Sequence, residues 1–222
     1  MPTQPDASIE ITAFDWVPDF ARGFVRDLRP RWACEEMGLP YRERLISAVN
    51  RPGWYYEEQP WGQVPVIRDG DVHLFESGAI LLHLGEKSTQ LLPASGQARA
   101  DVLSWLFAAY NSVEPVTMEL ATVTLFASGE DWAEGRKPSL FAFLEKRLSC
   151  LTNSLGDREW AAGAFSIADI ALVTTLRELS RTDLFDRFPS LRAYVERGEA
   201  RPAFQRALDA QLAAFTDQPQ AA

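Results

Sequence analysis

Histidine and cysteine are scarce in this chain of 222 residues, with two of each. Cys34 and Cys150 form no C-x-x-C pair, and His73 and His83 add no metal-ligand spacing, so a zinc site is not expected. Two cysteines in a chain this long give no sign of a disulfide scaffold, which favours a reducing compartment. Positive charge is also in deficit: 22 Lys and Arg stand against 31 Asp and Glu, a formal net charge of −9. Such a surface repels phosphate backbones and anionic lipid heads, which argues against nucleic-acid and membrane partners. No apolar run approaches the ~18 residues of a membrane-spanning helix. Residues 1–8 are polar and lack the charged and apolar regions of a secretory leader. These absences together set the expectation of a cytoplasmic location.

What the chain does have is a hydrophobic fraction of 46%, enough for a sizeable core. Its pattern changes part-way. Residues 9–14 alternate as a strand does. Residues 28–37 read as a helix stopped by Gly38-Leu39-Pro40, with Pro30 in the first turn and Asp27 as the expected N-cap. A second strand is expected over 41–48, and residues 50–62 read as a loop rich in Pro, Gly and aromatics. A third strand is expected over 64–67. Asp69-Gly70 signals a hairpin turn, 72–75 return, and Glu76-Ser77 open an apolar helix over 78–84. The order is β-α-β, then β-β-α. From residue 98 only helical patterns follow: one long helix to about 126 with a kink at Pro115, then 139–155, 166–179, 190–199 and 202–215. The expected organisation is an α/β domain over 8–85, a linker over 86–97 and an all-helical domain over 98–216.

Three motifs carry chemistry. In Gln63-Val64-Pro65 a proline opens a strand where it cannot donate to a sheet. It is either an ordinary edge proline or a cis peptide that turns the Val64 N–H and C=O outward, where an extended peptide could pair with them. Glu76-Ser77 lies at a helix start, where free N–H groups and the dipole favour an anion. Ser77 could hold a carboxylate and Glu76 the ammonium beside it, as an α-amino acid head group requires; the alternative is an N-cap serine with a solvated glutamate. Ser166-Ile167-Ala168-Asp169 has capping-box spacing, with Phe165 and Ile170 placed for a hydrophobic staple. That motif is read as structural.

Taken in order, these segments resemble the cytosolic glutathione S-transferase family. Trp61-Gly62-Gln63-Val64-Pro65-Val66-Ile67, Asp69-Gly70-Asp71 and Phe75-Glu76-Ser77-Gly78-Ala79-Ile80 look like its glutathione-site block. The run from Arg31 to Tyr41 is similar to its first helix and exit. Gly163 to Ile170 resembles the capping motif of its helical domain, and Phe188-Pro189-Ser190-Leu191 with Ala200-Arg201-Pro202-Ala203-Phe204 resembles its C-terminal helices. The resemblance implies a thioredoxin-like N-terminal domain followed by a helical one, a homodimer, and glutathione as co-substrate for attack on an apolar electrophile. It assigns Val64, before a cis Pro65, to the cysteinyl backbone, Glu76 and Ser77 to the γ-glutamyl head, and Gln63 to the glycyl carboxylate.

The resemblance stops short at thiol activation. Family members of this type use Tyr or Ser near the end of the first strand, or Cys for thiol exchange, and Phe24 occupies that slot here. Residues 13–33 contain no Ser, Thr, Tyr or Cys. Cations are present instead. Arg22 and Arg26 are the candidates for stabilising the thiolate, together with N–H groups at the helix start; the alternative is pairing with Asp15, Asp19, Asp27 or Glu35 on a solvated face. Tyr110 and Asn111 are further candidate donors. Cys34 reads as a buried structural thiol. The function expected is glutathione conjugation, with a non-catalytic glutathione-binding protein, or a thiol–disulfide reductase, as the other readings.

Overall fold

The computed structural model describes residues 3–218. Contacts divide it into two compact units: the chain up to Thr89 together with Ala200 onward, and Gln90–Glu199.

The first unit is built on a four-stranded sheet in the order β2-β1-β3-β4, with β1 Ile9–Phe14, β2 Tyr41–Ile46, β3 Val66–Asp69 and β4 Val72–Phe75. β2 runs parallel to β1, and β3 and β4 are antiparallel to their neighbours. The central position of β1 explains why its alternation is not reflected in exposure: five of its six residues are buried. Ile9, Ile11 and Ala13 share one face, and Glu10, Thr12 and Phe14 share the other. On the second face Glu10 stands opposite Arg42 and Arg68 and pairs with both and with Arg44. At the far end of that face Phe14, Val17, Ile46, Tyr55, Val64 and Val66 form an apolar cluster. The hairpin closes at Gly70, whose φ of 60° suits glycine.

Helix α1, Leu28–Met37, begins and ends as the sequence suggests, but not with the expected cap. Asp27 is itself helical (φ −64°, ψ −15°), so its carboxylate makes no capping bond. It accepts instead from Arg31 Nε at 2.8 Å and Gln211 Nε2 at 2.6 Å. A buried guanidinium one turn on outweighs the cap: Arg31 is fully buried and needs a counter-charge, which Asp27 and Glu43 supply. The short helix α2, Tyr55–Glu58, interrupts the expected loop, and α3 spans Ser77–Gly85.

The second unit is helical. Residues 96–126 form a continuous helical run: α4 Gly96–Ala108, a π-helical turn Ala109–Val113, α5 Glu114–Ala121, and a second π turn Thr122–Phe126. Pro115 comes just after the first π turn, at the second position of α5. Helix α6, Asp131–Leu155, starts eight residues earlier than the sequence suggests and carries Pro138 inside it. The buried line Ala133, Leu140, Leu144, Leu148, Leu151 and Leu155 holds the helix together across the proline. Helix α7, Ile167–Leu176, is buried on all sides and continues as a 3-10 turn. Its capping box is formed: Ser166 Oγ accepts from Ala168 N, and Asp169 Oδ2 accepts from Ser166 N at 2.9 Å. Asp169 Oδ1 also accepts from Ala161 N at 2.8 Å and from the Tyr194 hydroxyl at 2.5 Å. After the short helix α8, Leu184–Arg187, comes α9, Pro189–Glu199. α9 approaches α7 so closely at Gly198 that a Cβ there would lie 2.7 Å from Val173.

The sequence groups the last helix, α10 Pro202–Ala213, with the helical domain; in the structure it packs on α1 in the first unit. Phe204 meets Trp32 edge-on, with ring centroids 4.9 Å apart, and both are buried. Arg206 pairs with Glu35 at 2.7 Å and Arg201 with Glu36 at 2.6 Å.

Candidate glutathione site

Strand register brings the distant motifs together. Val66 and Phe75 are partners, so Val64-Pro65 and Glu76-Ser77 leave the β3–β4 hairpin at the same end. β3 is antiparallel to β1, with Ile11 opposite Ile67, so the loop after Phe14 leaves from that end too. Side-chain chemistry for a peptide-sized ligand therefore gathers at one edge of the sheet, although the motifs are separated in sequence.

The Val64–Pro65 peptide is cis. Among the described residues, the Val64 N–H and C=O make no hydrogen bond, so both are available to an added strand. The preceding residue is held firmly. Gln59, 2% exposed, accepts through Oε1 from Trp61 N at 2.8 Å and from Gln63 N at 2.9 Å. The Tyr55 hydroxyl donates to the Gln63 carbonyl at 2.7 Å, and burial pushes its pKa well above the usual phenol value. Gln63 itself is exposed. Sequence reasoning missed Gln59 and Tyr55, because nothing in their spacing marks them as supports for a turn.

Glu76 is the only non-glycine residue at positive φ among the described residues (φ 69°, ψ 114°). Its side chain is exposed and makes no capping bond. Ser77 follows, buried at the first position of α3, and accepts a hydrogen bond from Arg29 Nη1 at 3.0 Å. A carboxylate, a hydroxyl and a helix N-terminus, with a guanidinium behind them, match the mixed charge of an amino acid head group.

The loop between β1 and α1 has a different set of partners. Phe24, at the position the resemblance gives to a hydroxyl, is half-buried. Arg22 donates to the Thr216 carbonyl at 2.9 Å, lies 3.3 Å from Asp19 and stacks 5.7 Å over the Phe215 ring. Pairing with Asp19 is one of the alternatives the sequence leaves open for Arg22. Arg26 is half-buried, and its carbonyl accepts from Arg29 N at 3.1 Å. The arginine that reaches Ser77 is Arg29, at the second position of α1. Cys34 is fully buried, and burial pushes its thiol up to about 12, which keeps it protonated. Tyr110 and Asn111 fall in the first π turn of the second unit. Among the described residues, no group of three or more His, Cys, Asp or Glu is arranged to hold a metal. No helix among them is long and apolar enough to cross a membrane.

Comparison with known families decides what this arrangement belongs to. The glutathione S-transferase N-terminal domain matches residues 28–87, and the glutathione S-transferase C-terminal domain matches 122–210, together more than half of the chain. The chain belongs to the glutathione S-transferase family. It is 32% identical to glutathione S-transferase GstA of Escherichia coli O157:H7, covering 71% of this chain and 78% of that one. It is 29% identical to glutathione S-transferase F14 of Arabidopsis thaliana, covering 65% of this chain and spanning 62% of that relative's length. Among solved structures it is similar to a Pseudomonas putida glutathione transferase with one glutathione disulfide bound per subunit, at a TM-score of 0.80 and 26% identity over 93% of each chain. The thioredoxin-like first unit and helical second unit are the two parts of the glutathione S-transferase fold.

Proposed function

We propose that the protein binds glutathione at the β3–β4 edge and transfers it to an electrophilic, largely apolar small molecule. The observation that carries this reading is the convergence of the free Val64 backbone with Glu76 and Ser77. An extended γ-glutamyl tripeptide has a matching pattern: a backbone amide for Val64, an ammonium for Glu76, a carboxylate for Ser77 and a second carboxylate for Gln63. Pro65 shapes the turn that presents Val64. The solved relative with bound glutathione disulfide supports the same ligand class.

Thiol activation is assigned to Arg22 or Arg26 with N–H groups at the start of α1. A free thiol has a pKa near ~8.5, so a nearby cation raises the thiolate fraction at neutral pH. The partners of Arg22 in the structure favour a second reading, glutathione binding without conjugation. The two readings share one binding experiment and part at turnover. By calorimetry, Ser77→Ala weakens glutathione roughly 10- to 100-fold, the worth of a hydrogen bond to a charged group; undiminished binding would remove the site. A panel of electrophiles that includes a chloronitrobenzene then separates transferase from binder, and a disulfide-reduction assay tests thiol exchange. An Arg22→Ala variant with an unchanged pH profile for the bound thiolate would dismiss Arg22. A cytoplasmic homodimer acting in detoxification completes the proposal.

A further inference from the structure

In the second unit the end of α6, the turn after it and one face of α9 border a cavity of about 190 Å³. Pockets for drug-sized ligands run to ~300–1,000 Å³, so this one suits a small molecule. Leu155 and Leu191 give it an apolar wall. Two guanidiniums line it, Arg158 and Arg197, against one carboxylate, Asp157.

Neither arginine is ion-paired among the described residues, although the chain has a net charge of −9 and Arg42, Arg177, Arg201 and Arg206 all meet carboxylates. Backbone carbonyls and indole rings hold the two instead. Arg158 donates from Nε to the Leu155 carbonyl at 3.1 Å and from Nη2 to the Ser154 carbonyl, and it stacks 5.5 Å over the Trp105 ring. Arg197 donates from Nη1 to the Glu159 carbonyl at 2.8 Å and lies 5.7 Å over the Trp160 ring. These contacts fix the guanidiniums without neutralising them. Nη1 of Arg158, and Nε and Nη2 of Arg197, make no hydrogen bond among the described residues. Thr152, in the last turn of α6, lines the same cavity. Thr122, Thr124 and Thr174 each donate back to a carbonyl one helical turn earlier, whereas Thr152 Oγ1 is buried with no partner.

We infer that this cavity is a further ligand site, for a small organic carboxylate whose apolar body lies on Leu155 and Leu191. A planar guanidinium fork matches the two oxygens of a carboxylate. Both forks are already held in place, so little side-chain freedom is lost on binding.

Sodium benzoate is the probe, titrated into the full chain by calorimetry. One benzoate is expected to bind per chain with a Kd of about 1 mM or tighter. Benzamide, of the same shape without the charge, binds at least about tenfold more weakly, and so does inorganic phosphate, which lacks the ring. Arg158→Met and Arg197→Met each weaken benzoate about tenfold, the worth of a charge-assisted hydrogen bond. Should an arginine variant fail to fold, the amide shifts of the wild type under benzoate decide: they centre on Gly156, Ser190 and Arg197, and shifts centred elsewhere overturn the inference. No saturation by ~10 mM benzoate, equal affinity for benzamide or phosphate, or wild-type affinity in either arginine variant also overturns it.

Discussion

A non-glycine residue at φ 69° and ψ 114° costs on the order of 1–3 kcal/mol, so Glu76 is held there against its own backbone preference. Helix capping does not account for it, because the side chain makes no capping bond and is exposed. The strain separates stability from binding at a single residue. Glu76→Gly relieves the backbone and is expected to fall within ~1 kcal/mol of wild type, or above it, in urea unfolding. The same variant loses the carboxylate proposed for the ligand ammonium, and its affinity for glutathione drops. A loss of more than ~2 kcal/mol in stability would instead make Glu76 a structural residue. At this scale the sequence made Glu76 and Ser77 visible through their place before a helix. It did not reveal the sign of φ, which depends on how β4 must turn into α3.

Elements are tied together by charges that the sequence does not pair. At the end of β3 opposite the site, Asp69 lies 2.7 Å from His83 Nε2 of α3 and 2.7 Å from Lys87 Nζ just beyond that helix. Burial alone would raise the Asp69 carboxyl, but the hydrogen bonds from Lys87 and His83 outweigh it and hold the pKa below its ordinary value of 3.8. A depressed carboxylate stabilises the fold above its unfolded value, and that stability is lost as pH falls through the folded value. Asp69→Asn is therefore expected to be less stable than wild type at pH 7. The gap should narrow below pH 3.8, as the wild-type carboxylate takes up its proton. Urea midpoints at neutral and acid pH check this, and a constant gap would show that the ion pairs contribute nothing. The capping box at Ser166 was legible because all its parts lie within four residues. Ala161 and Tyr194, which complete the shell of Asp169, lie outside that window and were not.

The whole molecule divides differently from the chain. Residues up to Thr89 form one unit only together with the segment from Ala200 onward. The Trp32 face of α1 is covered by α10, where Phe204, Arg201 and Arg206 make their contacts. Gln211 donates to the Val25 carbonyl and the Asp27 carboxylate, and Thr216 N donates to the Asp15 carbonyl at 2.8 Å. A fragment ending at residue 89 is therefore expected not to fold on its own, since it bares Trp32 and leaves Asp27 with one partner fewer. Joining residues 200–218 to that fragment through a flexible linker restores cooperative unfolding, which circular dichroism with thermal melting would register. A cooperative melt for the short fragment alone would contradict this.

By itself the sequence determined the four strands in their order along the chain, the helix after the first strand, the hairpin at Gly70 and the capping box at Ser166. Each of these is written in neighbours a few residues apart, where periodicity and turn chemistry act. The tertiary structure decided which cation meets Ser77, which helix covers α1, and what the Asp27 carboxylate binds. Those outcomes depend on burial: a guanidinium taken out of water must find a partner in space, and sequence distance sets no limit on where that partner lies.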